Sequence, residues 1–169
     1  MKILTAIMIS AALFIPSCKP KETPPAVVGN NAPSFTLKDT DGKTVRLSDF
    51  SGRVVVIDFW ATWCGPCKES TTELEKLHRK YKDRGIVILG ISMDSGGDAA
   101  QKVKGFAEKN NLTYPMLIDD GKASGSYGVY NIPVTYVLDG KHVIVSIYKG
   151  YKAGLGKEIS DEINTLLEQ

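Results

Sequence analysis

Two patterns predict the strands of this chain: alternation of apolar with polar residues, and continuous apolar runs. On either side of Asp41-Gly42, the segment SFTLKDTDGKTVRLSDF alternates apolar with polar residues, which predicts a β-hairpin. RVVVIDFW and GIVILGISM are continuous apolar runs rich in β-branched residues, a pattern typical of strands buried on both faces. PVTYVLDGKHVIVSIYKG predicts two more strands joined at Asp139-Gly140, and a short strand is expected at 115–118.

Helical periodicity follows each buried strand. From Pro66 to about Arg84, one face carries the apolar residues Leu74, Leu77 and Tyr81. The opposite, polar face carries Glu75 four residues before Arg79, a spacing that favours an ion pair. DAAQKVKGFAEKNN and GKEISDEINTLLEQ predict two further amphipathic helices, and 122–127 a brief helical piece.

The order of these elements indicates an α/β fold. Strands that alternate with helices predict a central mixed sheet with helices on both faces. With 169 residues, of which 43% are hydrophobic and 24% charged, the chain is long enough for one ordinary core, and it shows no internal repeat. The 21 basic and 19 acidic residues are interspersed, which argues against nucleic acid as a partner and against a polybasic membrane contact.

The first residues, MKILTAIMISAALFIPSC, predict an export signal rather than part of the fold. A lysine precedes an apolar stretch that is too short to span a bilayer, so 1–17 is expected to be a signal peptide. Its end resembles a bacterial lipobox, which would make Cys18 the lipidated first residue of the mature chain. An ordinary secretory signal with an incidental cysteine is the alternative. Residues 18–31 then form a proline-containing tether, and 32–169 the folded domain.

The remaining two cysteines lie at the predicted junction of a strand and a helix, in DFWATWCGPC. Side chains three residues apart on a helix lie about 5–6 Å apart at Cβ, so Cys64 and Cys67 can form a disulfide that opens and closes. The first turn of a helix favours an anion, which promotes the thiolate of Cys64. Pro66 suits that turn because its missing N–H is not needed there.

DFWATWCGPC resembles the active-site segment of thioredoxins, and a Cys-x-x-Cys beside a βαβ pattern is a known signature of that fold. The leading hairpin, the extra strand and helix in the middle, and YGVYNIPVTYVLDG resemble the exported TlpA/ResA-like thiol-disulfide oxidoreductases, with their AhpC/TSA-Redoxin-like domain. The resemblance extends from about Asn31 to Leu167. It implies a three-layer thioredoxin-like fold with an N-terminal β-hairpin and a central strand-helix insertion.

The resemblance also implies a role for each catalytic residue. Cys64, the more exposed of the pair, would attack the substrate as a thiolate, and the more buried Cys67 would resolve the mixed disulfide. Asp58 lies within the buried strand, where its pKa should be raised, and would accept the proton of Cys67. A partly solvated or helix-capping Asp58 is the alternative.

Substrate contacts are implied around the two cysteines. Pro133 would match the family's cis-proline, which lets the backbone of Ile132 pair with a substrate strand. The alternative for Pro133 is an ordinary proline at a strand start. Trp63, Gly65 and Pro66 would contact the substrate, although Trp63 and Trp60 can equally be packing residues.

The chain departs from the TlpA/ResA-like pattern at two positions. Where that branch commonly has Glu and Pro, this sequence has Ser70 and Thr72. In that branch the Glu is associated with the choice of partner, so cytochrome c maturation stays open as a role. Asp58 with Cys-Gly-Pro-Cys is closer to thioredoxin itself, which favours a reducing pair.

The expected function is a membrane-anchored reductase of disulfides in exported proteins, apocytochrome c among the candidates, in the bacterial cell envelope. It would need no cofactor beyond the cysteine pair, would take electrons from a membrane or periplasmic donor, and would be a monomer. A thiol peroxidase and a non-catalytic lipoprotein with a structural disulfide are the alternatives. A zinc site would need ligands beyond His78 and His142, which are expected to face solvent, so no metal is expected.

Overall fold

A computed structural model describes residues 25–168 of the protein. The predicted signal peptide and Cys18 lie outside these residues. The strands are β1 Thr36–Asp39, β2 Thr44–Arg46, β3 Val55–Trp60, β4 Val87–Ser92, β5 Met116–Ile118, β6 Val134–Leu138 and β7 Ile144–Lys149. The helices are α1 Gly65–Tyr81, α2 Ala99–Lys109, α3 Lys122–Tyr127 and α4 Leu155–Leu167.

All of these strands form one mixed sheet in the order β2-β1-β5-β4-β3-β6-β7. The central strands β3, β4 and β5 are parallel, whereas the hairpins β1-β2 and β6-β7 are antiparallel and occupy the two edges. α2 and β5 lie in the middle of the chain, where the strand-helix insertion is expected. The architecture confirms the predicted α/β fold with a mixed sheet.

The side chains of β3 alternate between two cores because successive residues of a strand point to opposite faces. Val56 and Trp60 contribute to the core beneath α1, α2 and α4. Val55, Ile57 and Phe59 contribute to the other core, which α3 helps to cover. Helices therefore lie on both faces of the sheet, which completes the three layers.

The domain begins earlier than the boundary placed at residue 32. Gly29 N–H donates to the Ile144 carbonyl at 2.8 Å, and Ile144 N–H donates back to the Asn30 carbonyl at 2.9 Å. Asn31 forms an isolated antiparallel bridge with Val143. Residues 29–31 therefore belong to the folded domain rather than to the tether, because they cover the edge of β7.

The position of Glu75 on the polar face of α1 suggested that it faces solvent, but it does not. Its side chain is buried, and it accepts hydrogen bonds from the Thr113 N–H at 2.6 Å and the Thr113 hydroxyl at 2.8 Å. The predicted pair with Arg79 is present at 2.6 Å. The loop before β5 covers this part of α1, so a periodicity read on α1 alone gave the wrong exposure.

Among residues 25–168, no helix combines the length and the hydropathy needed to cross a membrane.

Candidate active site

Cys64 and Cys67 form a disulfide at the start of α1. Cys64 is the N-cap residue, Gly65 is the first helical residue, and the Cα atoms of the two cysteines are 5.3 Å apart. Pro66 lies in the first turn, where its missing N–H costs no hydrogen bond. The predicted strand-to-helix placement of the pair is therefore confirmed.

The two sulfurs differ in their access to solvent. Cys64 is 6% exposed, whereas Cys67 is completely buried. The order of exposure agrees with the prediction, but the disulfide buries Cys64 more than the expected surface position implied. An incoming disulfide would reach Cys64 before Cys67.

A groove of about 410 Å³ opens beside Cys64. It is lined by Trp63, Cys64, Gly65, Pro66, Met93, Tyr130, Asn131 and Ile132. Trp63 is 69% exposed and Tyr130 is 87% exposed, so two aromatic side chains stand at its rim. Four of the five residues expected to contact substrate thus share one surface with the candidate nucleophile.

Ile132 and Pro133 lie on the other side of the disulfide. The Ile132 carbonyl oxygen is 3.9 Å from Cys64 Sγ, and the Ile132–Pro133 peptide bond is cis, as the resemblance implied. Pro133 is buried and precedes β6, so its side chain supports the segment rather than lining the groove. The backbone of Ile132 is the group from this segment that faces Cys64.

The start of α1 favours a negative charge on Cys64. Among the residues that the structure describes, no side chain caps the first turn, so no side-chain acceptor there competes for its N–H groups. These N–H groups and the helix dipole stabilise an anion at this end of the helix. Reduction of the disulfide would therefore place a thiol at a position that promotes its ionisation.

Asp58 lies in the middle of β3, on the face that α1 covers. It is completely buried, and Thr135 on β6 donates a 2.8 Å hydrogen bond from its hydroxyl to Asp58 Oδ1. Burial raises the pKa of Asp58 to about 7, although the Thr135 and Ser70 hydroxyls act in the opposite direction. Ser70 lies one helical turn after Cys67, so Asp58 faces the part of α1 that carries the buried cysteine.

The second carboxylate oxygen of Asp58 has no hydrogen-bond partner among residues 25–168. The same is true of the buried Ser70 hydroxyl, the Trp60 indole N–H and the Tyr114 hydroxyl. The charge of Asp58 adds to burial in raising the pKa of Tyr114. Asp58 therefore lies among neutral polar groups rather than beside a cation, and it can take up a proton near neutral pH.

The candidate site contains residues that the sequence alone did not single out. Asp94 binds the loop before Cys64, Thr135 binds Asp58, and Tyr130 stands at the groove. Asp94 comes two residues after the end of the buried strand β4, beside the carboxyl end of β3 that leads to the cysteines. That position was the only signal in the sequence that could have drawn attention to it.

Neither histidine lines the groove beside Cys64. His78 is half-buried on α1, with its ring 6.1 Å from that of Tyr114, and His142 is half-buried in the turn before β7. Both were expected to face solvent, and packing against neighbouring segments covers them instead. Within the described part of the chain, no group of three or more His, Cys, Asp or Glu side chains could hold a metal ion.

Comparison with known proteins identifies the family. The model of the AhpC/TSA family matches residues 28–147, which include the whole site. The chain belongs to the AhpC/TSA family.

The names of two relatives bear on the chemistry of the site. The chain is 38% identical over 122 residues to the thioredoxin-like protein YneN of Bacillus subtilis, covering 72% of this chain and 71% of the relative. It is 34% identical over 124 residues to the thiol-disulfide oxidoreductase ResA of Bacillus thuringiensis, covering 73% of this chain and 70% of ResA.

A solved structure agrees with the fold of this AhpC/TSA family member. The thioredoxin domain of a thiol-disulfide oxidoreductase from Bacteroides vulgatus superposes with a TM-score of 0.72 at 27% identity. The match covers 82% of this chain and 99% of that domain. The fold is therefore thioredoxin-like, and the chain is an enzyme of the thiol-disulfide oxidoreductase class.

Proposed function

We propose that this protein is an exported, lipid-anchored disulfide reductase, in which Cys64 attacks and Cys67 resolves. The observation that carries the proposal is the arrangement of the Cys64–Cys67 pair. Cys64 borders an open groove at a helix N-terminus, while Cys67 is buried on the side of α1 that faces Asp58.

The reduced enzyme would begin the reaction at Cys64. Its thiolate attacks one sulfur of the substrate disulfide, the substrate S–S bond breaks, and the other substrate sulfur leaves as a thiolate that takes a proton. The product is a mixed disulfide between Cys64 and the substrate. The backbone of Ile132, next to Cys64 Sγ, supports an extended substrate segment across the groove.

Cys67 would complete the reaction. Its thiol gives a proton to Asp58 and attacks Cys64 Sγ, which breaks the bond to the substrate and releases the second substrate thiolate. The enzyme then holds the Cys64–Cys67 disulfide, and two electrons have passed to the substrate. A pKa of about 7 suits Asp58 to accept a proton at neutral pH and to release it afterwards.

The electrostatics around Cys67 support reduction as the direction. A thiolate at Cys67 would be buried on the same face as Asp58, whose hydrogen-bond donor Thr135 and neighbour Ser70 are both neutral. The strongly oxidising members of the fold are those that stabilise their thiolate. An acid without a cation beside the buried cysteine has the opposite effect, so the pair should give up electrons readily.

The cellular setting is also part of this proposal. The signal-like residues 1–17 and the lipobox-like Cys18 support export and a lipid anchor, with the domain outside the cytoplasm. The clients would be disulfides of exported proteins, with apocytochrome c as one candidate, and a membrane or periplasmic dithiol protein would return the electrons. The enzyme would work as a monomer.

Trapping of the mixed disulfide tests the assignment of the cysteines. The Cys67→Ala protein should accumulate covalent complexes with exported proteins, because nothing resolves the bond at Cys64. The Cys64→Ala protein should trap none. Complexes formed only by Cys64→Ala would reverse the assignment, and peroxide consumption in place of disulfide reduction would favour the peroxidase alternative.

Fractionation of cells tests the anchor separately. The Cys18→Ala protein should move from the membrane fraction to the soluble fraction, while the Cys64→Ala protein stays with the membrane as the matched control. Membrane association that does not depend on Cys18 would contradict lipidation at that residue.

A further inference from the structure

The loop that presents Cys64 is tied to the end of β4. Thr62 donates twice to the same carboxylate: its N–H lies 2.8 Å from Asp94 Oδ2, and its hydroxyl lies 2.6 Å from Asp94 Oδ1. Thr62 is two residues before Cys64. Asp94 therefore holds both the backbone and the side chain of Thr62, and Trp63 and Cys64 follow Thr62 directly in the chain.

Asp94 is itself fixed in place. The Ser92 hydroxyl donates to Asp94 Oδ2 at 2.7 Å, and the Asp94 N–H donates to Ser92 Oγ at 3.1 Å. Ser92 is completely buried, and Asp94 is 5% exposed. Burial of a carboxylate is costly unless its oxygens are hydrogen-bonded, and here three donors satisfy them. The carboxylate thus links Thr62, which follows β3, to Ser92 at the end of β4.

Other restraints on Cys64 are weaker in the reduced enzyme. The Cys64 N–H donates to the Ala61 carbonyl at 3.2 Å, and no side chain within residues 25–168 caps the first turn of α1. In the oxidised protein the bond to Cys67 also holds Cys64. That bond is absent in the reduced form, which is the form that attacks a substrate, so the loop must hold Cys64 by other means.

We propose that Asp94 is a positioning residue for the attack by Cys64, a role that rests on the proposed function. Through Thr62 it keeps the Cys64 sulfur against the N–H groups of α1 and beside the Ile132 carbonyl after the disulfide has opened. The rate of attack depends on this placement, because a reacting atom that shifts slightly loses much of its advantage.

Variants of the reduced enzyme separate the hydrogen bonds from the charge. Asp94→Ala removes all three accepted bonds. Asp94→Asn keeps them without the charge, because its oxygen can accept from the Thr62 N–H and the Ser92 hydroxyl while its NH₂ donates to Thr62 Oγ1. Thr62→Val removes the hydroxyl bond alone. Asp98→Ala, at an exposed surface pair with Lys102, is the control.

Two readouts are used: the pH at which iodoacetamide half-alkylates Cys64, and the rate at which the reduced enzyme attacks insulin disulfides. Asp94→Ala should move the alkylation midpoint to higher pH and slow the attack roughly tenfold. Asp94→Asn should stay within about twofold of the native rate, and Thr62→Val should show a smaller loss in the same direction as Asp94→Ala. Asp98→Ala should change neither readout.

Three results would overturn the assignment. The first is a native midpoint and rate in Asp94→Ala, and the second is an equal loss in Asp94→Asn and Asp94→Ala, which would make charge the cause. The third is native behaviour of Thr62→Val if Asp94→Ala does not fold. Failure of the proposed function would look different, because either the native reduced protein would not reduce insulin or insulin reduction would survive Cys64→Ala.

Discussion

Asp58 on β3 and Thr135 on β6 are joined across the sheet by a buried hydrogen bond of 2.8 Å from the Thr135 hydroxyl to Asp58 Oδ1. Neither side chain is more than 1% exposed. This one bond does not offset the cost of burying a charged carboxylate, so the pKa of Asp58 rises to about 7. The charged form of Asp58 therefore lowers the stability of the fold, and the same carboxylate can take up a proton near pH 7.

The first prediction concerns stability and pH. Because the pKa of Asp58 is raised from 3.8 to about 7 on folding, the folded state binds more protons than the unfolded state between these values. Stability therefore falls as the pH rises through this window, by up to about 4 kcal/mol. Asp58→Asn should be more stable than the native protein at pH 8 by an amount that disappears near pH 3, as measured by urea unfolding of the oxidised proteins.

Thr135→Val is the matched control for that measurement. It removes the hydrogen bond that stabilises the carboxylate, so it should increase the loss of native stability at pH 8. Equal stability of the native and Asp58→Asn proteins at pH 8 would contradict a raised pKa of Asp58.

The second prediction concerns the rate of disulfide exchange. In the native protein, the resolving step at Cys67 should accelerate with pH through about 7 as Asp58 becomes an available base. Asp58→Asn should slow that step roughly 100-fold and remove the inflection, and stopped-flow measurement of the second released thiol reports it. The first step, measured in Cys67→Ala, should keep its rate. An Asp58→Asn protein with native rate and inflection would exclude Asp58 as the acceptor.

The third prediction concerns Glu75. Burial alone would raise its pKa, but hydrogen bonds from Thr113 and Arg79 outweigh burial and lower the pKa. A lowered pKa gives stability that is present above about pH 4.5 and is lost as the pH falls below it. Glu75→Ala also leaves the Thr113 N–H without its partner, so it should cost roughly 1–3 kcal/mol at pH 7 and less at pH 3.

Glu69→Ala, at an exposed position on the same helix, is the comparison for Glu75→Ala in chemical denaturation. It should change stability by less than about 0.5 kcal/mol. A similar effect of both substitutions would show that the buried bonds of Glu75 carry no particular weight.

The fourth prediction compares two glycines. A Cβ at Gly90 on β4 would lie 2.7 Å from Met116 Sδ, 2.9 Å from Trp60 Nε1 and 3.2 Å from a ring carbon of Tyr114. Gly90→Ala should therefore cost about 1–3 kcal/mol. At Gly105 on α2 a Cβ would meet no atom of the described part of the chain within 4 Å, so Gly105→Ala should gain up to about 1 kcal/mol. Thermal unfolding measures both, and equal effects would refute the close packing around Gly90.

The sequence by itself determined the elements and the cysteine pair. Strand and helix periodicities gave the order of the fold, because each element buries one face or both and its apolar residues must recur accordingly. DFWATWCGPC placed the two thiols at a strand end and a helix start, and the fold and the enzyme class that this implied are confirmed. Local chemistry was sufficient for these features because spacing along the chain defines them.

The tertiary structure alone decided what depends on contacts between distant segments. Glu75 is buried because the loop at Thr113 covers it, and residues 29–31 join the domain because β7 offers them an edge. Asp94 reaches Thr62 from the end of the neighbouring strand, 32 positions away in the chain. No periodicity along the chain encodes such contacts. The contact between Asp94 and Thr62, for example, arises only because β3 and β4 pair in parallel and bring their carboxyl ends together.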